Sequence, residues 1–497
     1  MAAVSKLAAA AGSGGRHGWA DLPRDLLESV LARLPVADRL RFPAVCTAWQ
    51  SAAAESAGGG GVALVQGVES PWLMLPFNPT RRGGEGDGTS SEARFLSLAD
   101  GRAYAVRQPP PAAADRLCVG SSDGWLVAAD AASELQLLNP LTGAQVPLPS
   151  VTTLPFVDAA RDADGRVVSY RLRCFCVPDG GGGGADEVLA MPPETLAPDR
   201  LRYELYEKAI LVSPPRRATT GSWGGYAVLL ICQPLLRLAV ARAGDTSWTL
   251  LDTPSRCWVD AVRAASYSAP AAADGAQRRA VVYTLDTTGR VETWDMDAAT
   301  TDATATPTPT PTPHRTIAPA CCCCSARACA MSAACSRYLV ELSPGRLLQV
   351  HRLRRAAHAL YKDNWEPRPE RVEYTTAEVE LFELMPGAAV TGGGVGRWAP
   401  VDGEDAGGGL LAGRALFLGK SASLCVPAPA DGGERLRGGC VYFTDDAPWS
   451  HERCREVAPD VGVLDLADGS YRPPRGAARD LLWKWPPPVW VFPSLAD

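Results

Sequence analysis

The run VVYTLDTTGRVETWD (residues 281–295) carries two short apolar strands joined by a turn that ends in Gly289. Valine, tyrosine, threonine and tryptophan suit the pleated, half-buried surface of a sheet. Glycine tolerates the positive φ that a tight hairpin demands. The same unit recurs as FLSLADGRAYAV (95–106), LQLLNPLTGAQVPLP (135–149), YLVELSPGRLLQVHRL (338–353) and GVLDLADGSYRP (462–473). Their turns fall at Asp100-Gly101, Thr142-Gly143, Pro344-Gly345 and Asp468-Gly469. A longer echo links WTLLD at Trp248 to WAPVD at Trp398, each followed by a strand run, at 280–285 and 415–418. Hairpins repeated at intervals of several tens of residues suit radial blades, since propeller repeats run at about 40–50 residues, and closing a propeller leaves only short protected edges. The expected class is mainly β, a β-propeller with a small N-terminal α unit; two β-sandwich domains are the alternative. Glycine-rich stretches near 180–184, 392–396 and 407–409 read as loop insertions.

Upstream of these strands the periodicity is helical. WADLPRDLLESVLARLPVADRLRFPAVCTAW (19–49) sets Leu26, Leu27, Val30, Leu31 and Leu34 on one stripe after Leu22. Pro23 suits a first helical position, and Pro35 stops the helix. A second short turn from Ala37 or Asp38 carries Leu40 and Phe42, and a third helix is expected from Pro43, with Val45, Cys46 and Trp49 on one face. Segments below about 40 residues rarely fold alone. A fully buried large aliphatic side chain is worth roughly 1.5–3 kcal/mol, so this stripe must find a second surface, in the rest of the chain or on another protein.

The segment resembles an F-box, the motif that docks a protein onto the Skp-type adaptor of a cullin–RING ubiquitin ligase. Leu22-Pro23 matches the family's opening pair, Leu26 and Leu27 its paired leucines, and Leu34-Pro35 its second Leu-Pro. Asp38, Arg39 and Leu40 match the Asp-Arg-Leu element, and Val45, Cys46 and Trp49 the element that closes the motif. The resemblance implies an adaptor-binding set of Leu22, Pro23, Leu26, Leu27, Val30, Leu31, Leu34, Pro35, Leu40, Val45, Cys46 and Trp49. Relatives usually carry basic residues near Thr47 and Gln50, and often one at Pro43, which bears on adaptor affinity. Farther along, GSSDGWLVAAD with LLNPLTG, RALFLGKSASLCVPA, GCVYFTDD, GVLDLADGSY and PPPVWVFPSL resemble the F-box-associated domain of unknown function common in plants, whose members are similar to kelch-like propellers. The resemblance runs patchily from 118 to 495 and is weakest across 298–336.

The implied layout is a disordered leader over 1–18, an F-box over 19–57 and a propeller-like domain over 62–497 with a low-complexity insertion at about 298–336. At 497 residues there is room for that. A composition of 46% hydrophobic and 21% charged residues is that of a globular protein, and a net charge of −6 argues against general nucleic-acid binding. Residues 226–240 form the longest membrane-span candidate but are broken by Gln233, Pro234 and Arg237. The leader MAAVSKLAAAAGSGG lacks the apolar run of a signal peptide. Fifteen cysteines, an odd number in a large chain without that signal, point to a reducing compartment, cytoplasmic and/or nuclear. Cys321–Cys324, Cys329 and Cys335 crowd beside a threonine-proline repeat at 306–313, and four consecutive cysteines do not supply zinc knuckles. No metal or other cofactor is expected.

Catalytic groups are scarce in the sequence. Gly419-Lys420-Ser421 has the end of a phosphate-binding loop, but Arg414 stands where that loop needs glycine, and the surroundings read as strand. Ser421 and Ser423 read as strand or turn residues. The five histidines are His17, His314, His351, His358 and His451; His351 and His358 lie in an arginine-rich run that reads as a solvated strand and helix edge. Asp445-Asp446 is a carboxylate pair that in a strand would point to opposite faces and not share a proton, and a turn is the preferred reading. Of the fourteen tryptophans, Trp125, Trp294 and Trp490 read as core, and Trp365 and Trp449 sit in polar, proline-bearing loops, where exposed partner anchors are the lesser alternative. The expected function is a non-enzymatic substrate receptor of a Skp–cullin–F-box ligase, reaching cullin and RING subunits through the adaptor and holding an unknown target on the propeller, with no nucleic-acid or membrane partner. A propeller scaffold that no longer engages a ligase is the alternative.

Overall fold

The computed structural model describes residues 18–58, 70–75, 92–110, 116–176, 189–218, 220–251, 257–265, 280–296, 313–320, 335–361, 367–385, 396–401, 406–428, 436–446, 459–474 and 486–495. The chain divides into two compact units, Met1–Glu69 and Ser70–Asp497.

The first unit is helical. A single 3-10 turn at Trp19–Asp21 leads to helices at Arg24–Leu31, Val36–Arg41 and Thr47–Gly58, with another 3-10 turn at Phe42–Ala44. Pro23 and Pro35 each stand immediately before a helix, where a missing N–H costs nothing. The third helix starts at Thr47 and not at Pro43 as the sequence suggested: Phe42–Ala44 closes as one tight turn, and the Gln50 amide then donates to the Cys46 carbonyl at 2.9 Å. Leu27, Phe42 and Ala52 form the buried centre of the unit.

The second unit is built from six main sheets of four or five strands. Blade one joins Trp72–Leu75, Glu92–Ser97 and Ala103–Arg107 to the C-terminal strand Val489–Val491, which pairs with Trp72–Leu75. Blade two runs Leu117–Ser122, Trp125–Ala129, Leu135–Leu138 and Gln145–Pro147. Blade three comprises Tyr206–Ser213, Ala227–Cys232, Arg237–Arg242 and Thr249–Leu250; blade four comprises Trp258–Ala265, Ala280–Asp286, Val291–Trp294 and Pro313–Ile317. Blade five holds Cys335–Ser343, Arg346–Tyr361, Pro367–Met385 and Arg397–Val401. Blade six orders Leu424–Pro427, Arg414–Leu418, Cys440–Phe443, Gly462–Asp465 and Tyr471–Arg472, with its second and third members parallel. All five hairpins read from sequence fall inside these blades, and Gly101, Gly143, Gly289, Gly345 and Gly469 all take positive φ.

Blades two to six pack in chain order, each neighbouring pair around its own apolar core. Blades two and three share Trp125, Val127, Leu211 and Val228. Ile210 and Leu229 of blade three meet Trp258 and Trp294 of blade four. Tyr283 and Leu285 of blade four meet Leu339 and Leu347 of blade five, and Val340 and Leu348 of blade five meet Leu416 and Phe443 of blade six. The circuit returns when Phe417, Cys440 and Tyr442 of blade six pack on Leu73, Leu75 and Leu96 of blade one. The fold is therefore a propeller, and the sandwich alternative is set aside. At the crowded centre only glycine fits position 120, where a Cβ would stand 1.8 Å from the Ala209 carbonyl oxygen.

Some elements depart from expectation. A three-stranded sheet, Val157–Arg161, Val167–Cys176 and Leu189–Leu196, followed by a helix at Pro198–Leu205, intervenes between blades two and three. Residues 298–336 are not wholly an insertion: Pro313–Ile317 is the fourth strand of blade four, and Cys335 opens blade five. Its Ile317, Thr316, Arg315 and Pro313 pair with Val291–Trp294 although the stretch follows a threonine-proline repeat. Gly407–Gly409 lies in a π-helical turn, Ala406–Leu410, held where Gly407 closes on the backbone of Ala467. The apolar run 226–240 is a hairpin of blade three. Residues 180–184 and 392–395, Cys321–Cys324, Cys329, Trp365 and Trp449 lie outside the described residues.

Candidate functional site

The twelve residues that the sequence assigns to adaptor binding divide by exposure. Leu27 is buried at the centre of the helical unit, and Leu22, Val30, Leu31, Leu34 and Trp49 pack half-buried against it. Cys46 is half-buried as well, whereas Pro23, Pro35, Leu26, Leu40 and Val45 face outward. Leu26 and Leu27 are thus adjacent but opposite in role, since successive helical residues point about 100° apart. Trp49 is a brace: its ring lies 4.3 Å from that of Phe42, and its indole N–H donates to the Trp19 carbonyl at 3.0 Å. Trp19, which the adaptor set omits, is 76% exposed, and Val45 is 56% exposed. Of the eight large hydrophobic residues exposed among the described residues, four (Trp19, Leu26, Leu40 and Val45) belong to this small unit. Polar neighbours fix its rim: Arg24 bridges Glu28 at 2.8 Å and also pairs with Glu55, and Arg41 meets Asp38 at 3.3 Å.

The propeller presents a different chemistry at its centre. The strands that open blades two to five, with Leu424–Pro427 of blade six and Val489–Val491 of blade one, lie side by side. Polar groups tie them across blade boundaries. Lys208 of blade three donates to the Gly419 carbonyl at 2.8 Å and pairs with Asp260 of blade four at 2.7 Å. Asp260 also accepts from the Leu339 amide of blade five at 2.8 Å. Burial pushes the Asp260 carboxyl up, while Lys208 and that amide pull it down. Ser421 donates to the Trp490 carbonyl at 2.6 Å, and the Ala422 amide donates to the Ser121 carbonyl at 2.9 Å. Gly419-Lys420-Ser421 is therefore a junction between blades. It follows strand Arg414–Leu418 and leads to another strand, with no helix whose N-terminus could receive phosphate.

A second buried network lies between blades five and six. Arg352 donates to Asp460 at 2.7 Å, to Thr376 at 2.7 Å and to the Thr444 carbonyl at 3.0 Å, with its guanidinium 4.3 Å from the Phe443 ring centre. Arg354 donates to Asp446 at 2.6 Å and lies 3.8 Å from Asp445. Asp445 and Asp446 therefore converge on one pair of arginines and do not point apart, because the chain leaves strand Cys440–Phe443 before reaching them. Burial alone would raise Asp446; Arg354 and Arg352 hold it below the usual carboxylate range.

His351 does not join these acids. It is 1% exposed within strand Arg346–Tyr361, its ring 4.8 Å from Phe382, and no helix or solvated edge is present there. Desolvation, with Arg337 nearby, lowers its pKa to about 4, so at neutral pH the 3.8 Å contact with Glu380 is not an ion pair. His358 lies in the same strand. Cys118 and Cys232 are pushed up to about 12 by burial, the reverse of what an activated thiolate needs. Among the described residues no group of three or more His, Cys, Asp or Glu side chains could hold a metal, and no helix is long and apolar enough to cross a membrane. Trp125, Trp294 and Trp490 are core, as their strand positions indicated.

Comparison with known proteins accounts for both units. The KIB1-4 beta-propeller family model matches residues 95–465, well over half of the chain. The chain belongs to the KIB1-4 beta-propeller family. An F-box domain model matches residues 19–56. Relatives include Putative F-box protein At4g22660 of Arabidopsis thaliana, 31% identical over 134 residues, which are 27% of this chain and 31% of that protein. F-box/kelch-repeat protein At1g57790, also of Arabidopsis thaliana, is 30% identical over 142 residues, 27% of this chain and 34% of that protein. The matched region spans about a third of these relatives, and their source implies a plant origin. Among solved structures, Saccharomyces cerevisiae Sqt1 aligns over 60% of this chain and 75% of its own at 10% identity and a TM-score of 0.23, too low to carry any argument. The two models together give an F-box domain followed along the chain by a KIB1-4 propeller.

Proposed function

We propose that this KIB1-4 propeller protein is the substrate-recognition subunit of a Skp–cullin–F-box ubiquitin ligase, acting in the cytoplasm and/or nucleus. The F-box unit docks the adaptor and, through it, cullin and RING subunits; the propeller, kelch-like in its use, holds a target protein. The observation that carries this reading is the outward apolar set Trp19, Leu26, Leu40 and Val45 on a unit whose own centre is already filled by Leu27, Phe42 and Ala52. The rate gain comes from proximity: target lysines are held near the charged conjugating enzyme at high local concentration.

Co-purification of the full chain with a Skp-type adaptor tests the reading. Stoichiometric capture, lost in a Leu26→Ala/Leu40→Ala variant of unchanged helicity, is the expected result. A Leu22→Ala/Leu26→Ala pair is a weaker control, because Leu22 also packs on the unit's centre. The departures at Pro43, Thr47 and Gln50 favour a second reading, a propeller scaffold that binds its partner without a ligase. Absence of capture by the intact, folded protein establishes that scaffold and excludes the ligase role.

A further inference from the structure

Ubiquitin transfer needs a free lysine amine. The unprotonated Nζ attacks the thioester carbonyl of the charged conjugating enzyme; the C–N bond forms, the C–S bond breaks, and the thiol leaves with the displaced proton. This chain carries five lysines, Lys6, Lys208, Lys362, Lys420 and Lys484, so of its 49 basic residues 44 are arginines (49 − 5), which cannot accept ubiquitin at all. Lys208 and Lys420 are the two lysines among the described residues.

Both are held by the fold. The Lys208 side chain is 5% exposed, its ammonium bonded to Asp260 at 2.7 Å and to the Gly419 carbonyl at 2.8 Å, with the Tyr338 ring 5.7 Å away. Freeing that amine would strand a fully buried carboxylate. Lys420, 19% exposed, donates to both the carbonyl of Glu207, at 2.6 Å, and its carboxylate, at 3.1 Å. The two bind reciprocally between blades three and six: Lys208 of blade three reaches the Gly419 carbonyl, and Lys420 reaches Glu207, so neighbouring residues on each side exchange contacts. Elsewhere the described surface carries its positive charge on arginine, as at the exposed Arg171, Arg173 and Arg217.

We propose that the described part of the propeller is closed to the ubiquitin its own ligase would deliver: both of its lysines are spent on contacts between blades, and its exposed arginines supply charge without acceptors. Lys208 and Lys420 are then withheld as acceptors for as long as the blades stay folded. This inference rests on the ligase reading above.

Two measurements separate its failure from failure of that reading. Native acetylation of the full chain with an N-hydroxysuccinimide ester, read by mass spectrometry, requires no ligase. Lys208 and Lys420 should label at least about tenfold more slowly than in the denatured chain, because reaction awaits opening of the blades. Labelling within about twofold of the denatured rate overturns the proposal whatever the adaptor does. In the reconstituted ligase, an Arg171→Lys variant supplies an exposed acceptor. Ubiquitin remnants at position 171 and none at Lys208 or Lys420 are expected, whereas remnants at either buried lysine in soluble, folded protein refute the inference. Loss of adaptor capture with protected lysines overturns the ligase role and this consequence of it together, while leaving the protection itself established.

Discussion

His351 sets the clearest pH dependence in the propeller. Its ordinary pKa near 6.5 falls to about 4 in the folded chain, chiefly by desolvation and further by Arg337 across the sheet. Between those values the unfolded chain binds a proton that the folded chain refuses. Stability from this group is therefore intact above about pH 6.5, falls as pH drops, and is lower by about 3 kcal/mol once pH reaches about 4. Urea midpoints at pH 7 and pH 5 should diverge more for the natural protein than for His351→Gln; equal losses would show that His351 titrates normally. Lys208 and Asp260 make the second test at this scale. Removing one partner, as in Asp260→Asn, leaves a buried ammonium short of charge and should cost about 3–5 kcal/mol, whereas a Lys208→Met/Asp260→Leu pair should recover most of that loss in a denaturant titration. Neither effect was legible in the sequence. His351 sits in an arginine-rich run that suggests a solvated edge, and what buries Arg352 and Arg354 is a set of acids, Asp445, Asp446 and Asp460, roughly a hundred residues away along the chain.

The helices of the F-box unit separate packing from recognition. Leu27→Ala empties the unit's centre and should cost about 2–5 kcal/mol, lowering thermal unfolding of the unit and abolishing adaptor capture by the full chain. Leu26→Ala removes an outward side chain; its expected effect is unchanged thermal unfolding with adaptor affinity down at least tenfold, about 1.4 kcal/mol. Equal effects of the two substitutions on capture and melting would contradict the division of roles. At this scale the sequence read well wherever the signal was local. Gly101, Gly143, Gly289, Gly345 and Gly469 announce hairpins because the turn geometry and the residue that permits it coincide. The helix start misread at Pro43 shows the limit, since proline opens a 3-10 turn as readily as an α-helix. The added sheet at 157–196 stayed hidden because its outer strand, Leu189–Leu196, is exposed over residues 190–195 and interrupted by Pro192-Pro193, so it lacks the alternation that marks a half-buried strand.

Across the whole propeller, stability depends on a strand taken from the far end of the chain. Val489–Val491 pairs with Trp72–Leu75, and each side chain of the strand is buried. Trp490 packs edge-on against Phe417 of blade six at 5.0 Å, and its carbonyl accepts from Ser421 of the same blade. Two residues past Phe492, the Ser494 carbonyl accepts from Asn139 of blade two at 3.1 Å. One short segment thus touches the first, second and last blades, and the sequence showed only an apolar run after three prolines, with no sign of its partner. Because the apolar cores join neighbouring blades, loss of this segment should open the circuit at one place and expose the apolar faces of blades one and six together. Truncation before residue 486 is therefore expected to convert a single cooperative tryptophan-fluorescence transition into an early, broad one, and a synthetic 486–497 peptide added in excess should restore the late transition. If the segment merely covered an otherwise complete ring, truncation would shift the midpoint slightly and leave the transition sharp. Trp490→Ala distinguishes packing from pairing: it keeps the backbone ladder but should cost about 3–5 kcal/mol, so a near-neutral result would place the closing energy in the hydrogen bonds of the strand and not in its aromatic contact.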